Sequence, residues 1–389
     1  MKKEIYLDNA AATSVHNEVK QEMLKYFDLN YGNPSSIHSK GLEAKNAIEK
    51  SRETIATIFN CKPEEIIFTS GGTESINLAL KGIAKSMKNK GNHIITSKVE
   101  HQAVLKTCEY LEKYENCRIT YLDVDKFGMV NPKDVESAIC DNTILVSIMY
   151  ANNEIGTINP IEEIAKITRK YNIYFHTDAC QAAGYCNLEI KKLGVDMLSL
   201  NGSKIYGPKG IGILYVKSNI KLVPILHGGG QENNLRSGTE NVMNIVGFAK
   251  ALEISQYKRL EETERLTRLR KQLINGIVSQ ITNSGLNGHP TKRLPNNINI
   301  SFEDVDAEAV ILYLNEYKIY ASIGSACANN EKNESHVLNA MHKSDNIDSV
   351  RFTLGKDTTK EDIEKVLDVL PNIINSLRKI KETIKIKKK

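Results

Sequence analysis

Residues 174–204, YFHTDACQAAGYCNLEIKKLGVDMLSLNGSK, contain the pattern that decides the fold. The runs Tyr174–Asp178 and Met197–Leu200 are short and apolar, as buried strands are, and a helical pattern separates them. A strand, a helix and a second strand predict one crossover in a parallel sheet. Asp178 ends the first of these strands and Lys204 follows the second, so we expect both side chains to face one crevice at the carboxyl edge of the sheet.

The same alternation of strands and helices continues on both sides of this stretch. Further strands are predicted over Glu65–Thr69, His93–Ser97, Arg118–Val124 and Thr143–Ala151, and helices over Glu43–Asn60, Glu74–Asn89, Ala103–Tyr114, Ile161–Tyr171 and Leu188–Leu193. A long helical bridge over 241–280 is followed by the strand Asn297–Phe302, the helix Ala307–Tyr317 and the strand Ser349–Leu354. We predict an α/β fold with a mostly parallel sheet in a large domain, 15–255, and a smaller α+β domain from 1–14 and 256–389.

Composition and charge exclude several classes of protein. The chain has 389 residues, of which 41% are hydrophobic and 25% charged, which is typical of a globular protein rather than a disordered one. The net charge is +5, but residues 378–389 alone contribute seven basic side chains and one Glu, so the remaining chain has no basic field for nucleic acid. No apolar run approaches the roughly 18 residues of a membrane span, and Asp8 interrupts any secretory signal. We expect a cytoplasmic protein with no membrane contact and no direct nucleic-acid partner.

The seven cysteines are an odd number and include no C-x-x-C pair, so a structural zinc site is not expected and we predict no resident metal. Most should be small buried hydrophobic residues in a reducing compartment. Cys327 differs, because Gly324, Ser325, Ala326 and Ala328 surround it with small residues in a predicted loop. Such a thiol could react as a thiolate or could be an incidental surface cysteine, and the sequence pattern leaves both open.

Two further motifs each allow an ordinary and a functional interpretation. The segment Thr69–Ser75, TSGGTES, is a strand-to-helix turn with an N-cap, and its glycines and free amides also suit a phosphate. Asp178 and Lys204 could form a salt bridge. They also suit pyridoxal phosphate, where a lysine forms a Schiff base and a carboxylate keeps the pyridine nitrogen protonated.

Taken together, these residues resemble the pyridoxal-phosphate-dependent cysteine desulfurases of the class V aminotransferases, in their long-loop group. The resemblance runs almost from end to end, through Tyr6–Thr13, Gly32–Ser36, Thr69–Glu74, Glu100–His101, Asn152–Thr157, Asp178–Gln181, Ser203–Gly210, His227–Glu232, Arg236–Thr239, Gly324–Cys327 and Arg351–Gly355. It implies fold type I of the pyridoxal-phosphate-dependent transferases, with a seven-stranded large domain. It also places the loop of the catalytic cysteine in the small domain.

The resemblance also implies a role for each matching residue. Lys204 would hold the cofactor, Asp178 would pair with the pyridine nitrogen, and His101 would stack on the ring. Further cofactor contacts would come from Gly72, Thr73, Asn152, Gln181, Asn201, Ser203 and, across a homodimer with shared active sites, Thr239. Arg351, together with Asn152, would bind the substrate, its guanidinium gripping the carboxylate.

The implied reaction converts L-cysteine to L-alanine and leaves a persulfide on Cys327. This sulfur would pass to an acceptor or scaffold protein for iron–sulfur cluster assembly or tRNA thiolation, and Cys327 could transiently ligate a cluster. A selenocysteine lyase, another β-eliminating lyase on this fold, or a non-catalytic scaffold remain alternatives. A nicotinamide oxidoreductase is disfavoured, because Gly207–Gly212 has the wrong glycine spacing.

The chain departs from the family pattern at two positions beside the lysine. Asn201 and Ser203 stand where the family usually has Ser and His, both of which help to hold the phosphate. Both residues here can donate hydrogen bonds, but neither supplies the positive charge of a histidine.

Overall fold

The computed structural model describes residues 3–324, 335–341 and 349–387. The predicted catalytic residue Cys327 lies outside these ranges. Within them the strands are β1 Ile5–Tyr6, β2 Ile66–Thr69, β3 His93–Ser97, β4 Arg118–Leu122, β5 Thr143–Ser147, β6 Tyr174–Asp178, β7 Met197–Asn201, β8 Gly212–Val216, β9 Ser284–Asn287, β10 Asn297–Phe302, β11 Ile319–Tyr320, β12 Ser322–Ile323 and β13 Ser349–Thr353. The helices are α1 Asn17–Leu24, α2 Ser39–Phe59, α3 Gly72–Ser86, α4 Gln102–Tyr114, α5 Pro132–Ala138, α6 Ile161–Lys170, α7 Ile190–Leu193, α8 Val242–Tyr257, α9 Arg259–Gln280, α10 Ala307–Glu316, α11 His336–Ala340 and α12 Lys360–Lys387.

The central element is a seven-stranded sheet in the order β2-β8-β7-β6-β5-β3-β4. Only β8 runs antiparallel to its neighbours among these strands, so the predicted mostly parallel α/β sheet is confirmed. Strands β6 and β7 are adjacent and parallel, with Asp178 opposite Ser199. The crossover predicted from residues 174–204 is therefore present, and it brings the ends of both strands to one edge.

Both faces of this sheet are buried, which explains why its strands read as continuous apolar runs. Successive residues of a strand point to opposite faces. Ile94 and Leu145 pack into a core on one face, whereas Ile95 and Val146 pack into a second core on the other face. The helices that cover the two faces hold the sheet in place and leave its carboxyl edge open for a site.

A smaller unit combines both ends of the chain. Its antiparallel sheet has the order β12-β13-β10-β9, and β1 pairs with β11 in a separate two-stranded sheet. Its core includes Leu7 from the beginning of the chain beside Ile300, Phe352 and Leu370 from the end. This arrangement agrees with a small α+β domain formed from both termini, and the boundaries at residues 14 and 255 stay a prediction.

Several features of the fold differ from the sequence expectations. Strand β8 was not predicted, because glycines and a proline precede it. The predicted bridge over 241–280 consists of two helices, α8 and α9, that meet at Lys258. Helix α12 was also not predicted, and it continues into the lysine-rich tail as far as Lys387. None of the helices in the described ranges is both long enough and apolar enough to span a bilayer.

Candidate active site

A cavity of about 230 Å³ opens at the carboxyl edge of the large sheet, between that sheet and the smaller unit. Its sheet wall consists of residues at the ends of large-domain strands and at the start of α3 and α4, namely Gly72, Thr73, His101, Asp178, Cys180, Gln181, Asn201 and Lys204. The opposite wall includes Ala10, Ala11, Glu154, Gly324, His336 and Arg351. The structure thus brings most of the predicted site residues to one cavity.

The start of helix α3 forms one end of the cavity. An α-helix leaves its first amides without intrahelical partners, and no side chain caps this end at Gly71. A Cβ on Gly72 would lie 2.7 Å from Cys180 Sγ, so a glycine is needed for the helix to approach the strand ends this closely. The result is an open row of N–H donors that suits an anion.

Asp178 and Lys204 extend the site along the strand ends. The Asp178 side chain is buried, and its Oδ1 accepts a hydrogen bond from the Cys180 amide at 2.9 Å. Lys204 ends a 3-10 turn after β7, and its Nζ donates to the carbonyl of Ala11. Both side chains line the cavity, as the crossover predicted.

His101 is held in one tautomer by the backbone. It is the N-cap of α4, and its Nδ1 accepts a hydrogen bond from the Ala103 amide at 3.1 Å. Burial lowers the pKa of His101; Asp178 opposes this effect, while Lys204 and His336 add to it. The ring is therefore neutral at pH 7, with its proton on Nε2.

Three residues that were predicted to contact the cofactor, Asn152, Ser203 and Thr239, are not among the residues that line the cavity. Asn152 is fully buried behind the wall, where its Nδ2 donates to the carbonyl of Val99 and its Oδ1 accepts from the Glu154 amide. Ser203 donates its hydroxyl to Asn201 Oδ1. Thr239 is exposed in a separate cleft of about 370 Å³.

The remaining cofactor residue, Gln181, is placed as expected at the cavity. Its Nε2 donates to the carbonyl of Ala10 at 3.0 Å, which ties this wall to the N-terminal segment. Its Oε1 is the atom left to meet a ligand.

Arg351 lies on β13 in the opposite wall and is 3% exposed. Its Nη1 donates to the carbonyl of Asn153 and its Nη2 to Asp8 Oδ1, both at 3.0 Å. The buried Nε has no partner among the described residues. A guanidinium has five donors, so this one keeps several for a carboxylate that enters the cavity.

The sequence analysis missed a buried carboxylate beside this arginine. Glu154 accepts a hydrogen bond from the Ser335 hydroxyl at 2.5 Å, and its Oε1 lies 3.9 Å from His336 Nδ1. Burial raises the pKa of Glu154, whereas His336, Ser335 and Arg351 oppose this shift. The only signal in the sequence was the position of Glu154 inside the motif Asn152–Thr157.

The described cysteines have different environments. Burial raises the pKa of Cys186 to about 12, which makes this thiol inert. Burial, followed by the charge of Asp178, raises the pKa of Cys180 in the cavity wall. Cys140 is exposed on the surface; although its slight burial opposes the shift, hydrogen bonds from Thr143 and the Asn142 amide and the guanidinium of Arg118 lower its pKa.

Comparison with known proteins places this geometry in a family. The family model described as "Aminotransferase class-V" matches residues 5–366. The chain belongs to the class-V aminotransferases. It is 50% identical over 394 residues to cysteine desulfurase IscS of Dictyoglomus turgidum, with all of both chains covered. It is also 50% identical to the enzyme of the same name from Methanosarcina thermophila, with 97% of this chain and 93% of the relative covered.

The solved structure of a NifS-like protein superimposes with a TM-score of 0.90 at 37% identity, covering 96% of this chain and 100% of the other. The expected family is thus confirmed: the chain is a member of the pyridoxal-phosphate-dependent cysteine desulfurases within the class-V aminotransferases. The fold type I expected from the resemblance is confirmed with it.

The residues present fit pyridoxal phosphate. The uncapped start of α3, with the close approach that Gly72 allows, offers donors for a phosphate. Asp178 offers a buried carboxylate for a protonated ring nitrogen, and Lys204 offers an amine in the same cavity. No group of three or more His, Cys, Asp or Glu side chains that could hold a metal ion occurs in the described part of the chain.

Proposed function

We propose that this protein removes sulfur from L-cysteine, releases L-alanine, and carries the sulfur as a persulfide on Cys327. The observation that carries this proposal is that Asp178, Lys204 and Arg351 line one cavity with an uncapped helix start at its end. Lys204 thus offers an amine for the cofactor, and Asp178 offers a carboxylate for its ring nitrogen. Arg351 offers a guanidinium for the carboxylate of an amino acid bound in the same cavity.

Bound pyridoxal phosphate supplies an electron sink that stabilises negative charge at the substrate Cα. Within this chain, the α3 amides and Thr73 would hold the phosphate, and Asp178 would keep the ring nitrogen protonated. Lys204 Nζ would hold the cofactor until the substrate amine replaces it. His101, neutral and with its proton on Nε2, would lie against the ring, and Gln181 Oε1 would face its phenolic side.

The substrate would be oriented by the opposite wall of the cavity. Its carboxylate would accept hydrogen bonds from the donors that Arg351 keeps free. Lys204 Nζ, once released, would take the Cα proton. The thiolate of Cys327 would then attack the substrate sulfur, so that a sulfur–sulfur bond forms while the bond from sulfur to Cβ breaks, and a proton delivered to Cβ completes alanine.

We also propose that the active species is a homodimer in which Thr239 reaches the cofactor phosphate of the other subunit. Support comes from the cleft beside Thr239, which Tyr26, Phe27 and Tyr31 line. Phe27 and Tyr31 are 72% and 73% exposed in the single chain, and large exposed apolar groups at one place are typical of an interface. Light scattering should therefore give about twice the 43.5 kDa of one chain, and a mass of one chain for the active species would contradict the dimer.

The sulfur would leave Cys327 for an acceptor or scaffold protein that serves iron–sulfur cluster assembly or tRNA thiolation. We propose a cytoplasmic location, because a thiol that must carry sulfur needs a reducing compartment. No role in binding nucleic acid directly is proposed.

The function is tested by incubating the purified protein with L-cysteine. We expect a yellow protein that forms alanine, with one sulfur retained on the protein or released as sulfide when a reductant is present. Lys204→Ala should lose both the visible absorption band and alanine formation, whereas Lys209→Ala, a change at an exposed lysine nearby, should keep both. A parent protein that binds pyridoxal phosphate but forms no alanine from cysteine would contradict the proposal.

A further inference from the structure

Asn201 and Ser203 are hydrogen-bonded to each other beside the end of the cavity that the start of helix α3 forms. Asn201 Oδ1 accepts two hydrogen bonds from Ser203, one from the amide at 2.9 Å and one from the hydroxyl at 3.0 Å. Because an N–H and an O–H both point at this atom, it must be the carbonyl oxygen of the side chain and not its nitrogen. The orientation of the Asn201 amide is therefore determined by its neighbours.

The Asn201 Nδ2 atom consequently points away from Ser203 and toward helix α3. It lies 3.8 Å from the position that a Cβ of Gly72 would occupy, and Asn201 lines the cavity there. The register of the sheet produces this proximity, because Thr69, Gly212 and Asn201 form one row across β2, β8 and β7. A Cβ on Gly212 would lie 2.6 Å from the backbone of Gly71, so glycine at 212 lets the helix start and Asn201 lie side by side.

Ser203 differs from Asn201 in that it does not line the cavity. Its hydroxyl proton is used by Asn201 Oδ1. The cavity residues at this end, Gly72, Thr73, Cys180 and Asn201, include no cation. A phosphate bound here would be held by neutral donors from these residues.

We infer that Asn201 Nδ2 donates a hydrogen bond to the cofactor phosphate and that Ser203 is a positioning residue that orients this amide without binding the phosphate itself. This inference rests on the proposed binding of pyridoxal phosphate in the cavity, and it assigns different roles to two residues that the family resemblance treats alike. The chain thereby compensates for the missing histidine with an oriented amide.

The test measures dissociation constants of the apo-protein for pyridoxal phosphate and for pyridoxal, which lacks the phosphate, from the visible absorption band. Asn201→Asp keeps the acceptor oxygen for Ser203 and replaces the Nδ2 donor by a carboxylate oxygen. We expect its affinity for pyridoxal phosphate to fall by about a hundredfold, through loss of a charge-assisted hydrogen bond and gain of repulsion, while pyridoxal binds within about twofold of the parent.

A double-mutant cycle tests the role of Ser203. Asn201→Ala should weaken binding of pyridoxal phosphate by about tenfold, and Ser203→Ala by about threefold through a less ordered amide. In the Asn201→Ala background, Ser203→Ala should have no further effect. If the two effects multiply instead, Ser203 binds the phosphate independently and the inference is wrong.

The outcomes also separate this inference from the proposed function. If pyridoxal loses as much affinity as pyridoxal phosphate in Asn201→Asp, Asn201 has only a structural role and the inference is wrong. The same conclusion follows if Asn201→Asp binds pyridoxal phosphate as the parent does. If the parent itself binds no pyridoxal phosphate, the proposed function fails.

Discussion

The two walls of the cavity are held in place in different ways. On the sheet wall, His101 Nδ1, Asp178 Oδ1 and Asn201 Oδ1 each accept a hydrogen bond from the backbone amide two residues further along the chain, at 2.9 to 3.1 Å. These are local turns in which a side chain is fixed by its own segment. These three side chains of the sheet wall are therefore oriented by short stretches of sequence.

The opposite wall depends on contacts between distant segments. Arg351 bonds to Asp8, which is 343 positions away, and Ser335 bonds to Glu154, which is 181 positions away. His336 Nε2 donates to the carbonyl of Glu100 across 236 positions. The substrate-facing wall thus forms only when the smaller unit is docked against the large sheet. We infer that local turns orient the cofactor residues His101, Asp178 and Asn201, whereas substrate binding and sulfur transfer depend on docking.

The largest expected effect concerns the sulfur carrier. Cys327→Ala should keep the visible band of the cofactor, because the sheet wall is unchanged, and should lower alanine formation at least about a hundredfold, because no thiolate attacks the substrate sulfur. The measurement is steady-state alanine formation at saturating L-cysteine.

Cys140→Ala is the matched control for this change, since Cys140 is an exposed thiol whose pKa is lowered although it lies outside the cavity. It should leave the rate unchanged. If Cys327→Ala retains the parent rate, Cys327 is an incidental surface thiol, and a lyase mechanism that does not use it gains support.

A smaller effect is expected for a substitution in the opposite wall of the cavity. Asp8→Ala removes the charged partner of a buried guanidinium, so Arg351 should be less well oriented and the KM for L-cysteine should rise about tenfold. Asp8→Asn, which keeps an acceptor oxygen, should show a smaller rise. Titration with pyridoxal phosphate should give the parent affinity for both variants. A loss of cofactor affinity equal to the rise in KM would show that the two walls are not separable.

The smallest effect concerns Glu100, a fully buried residue whose backbone carbonyl accepts the hydrogen bond from His336. Its Oε1 accepts hydrogen bonds from Ser97 and from the Met149 amide, and burial raises its pKa to about 8. The folded protein therefore holds this proton more tightly than the unfolded chain, and the free energy of unfolding should fall as the pH rises from about 5 to 8.

Glu100→Gln keeps the Oε1 acceptor and removes the titration, so it should flatten this fall and be more stable than the parent apo-protein at pH 8.5. Urea unfolding at pH 6 and pH 8.5 measures the difference. Glu112→Gln, at an exposed position of helix α4, should leave the pH dependence unchanged. A parent-like slope for Glu100→Gln would mean that Glu100 is ionised in the folded protein.

The difference between local and long-range contacts also explains how much of the fold and of the site could be predicted from the sequence. The strands β2 to β7 and the positions of Asp178 and Lys204 were predictable, because apolar runs and a single crossover determine them locally. Strand β8 was missed, because Gly212 at its start serves close approach to Gly71 rather than a turn.

The opposite wall of the cavity was only partly predictable from the sequence. The family resemblance indicated Arg351, but nothing in the pattern revealed that Asp8, Glu154 and His336 would surround it, because their contacts join segments that are far apart in the chain. The family resemblance also indicated Ser203 as a cofactor residue. In the structure its hydroxyl donates to Asn201 Oδ1, and Ser203 is not among the residues that line the cavity.

The most direct test of the site is to find which lysine holds the cofactor. The holo-protein is reduced with borohydride, digested, and its pyridoxyl-labelled peptide is mapped by mass spectrometry. Because Lys204 lines the cavity with Asp178, we expect the label on Lys204. A label on the exposed Lys209, with Lys204 unmodified, would contradict the site.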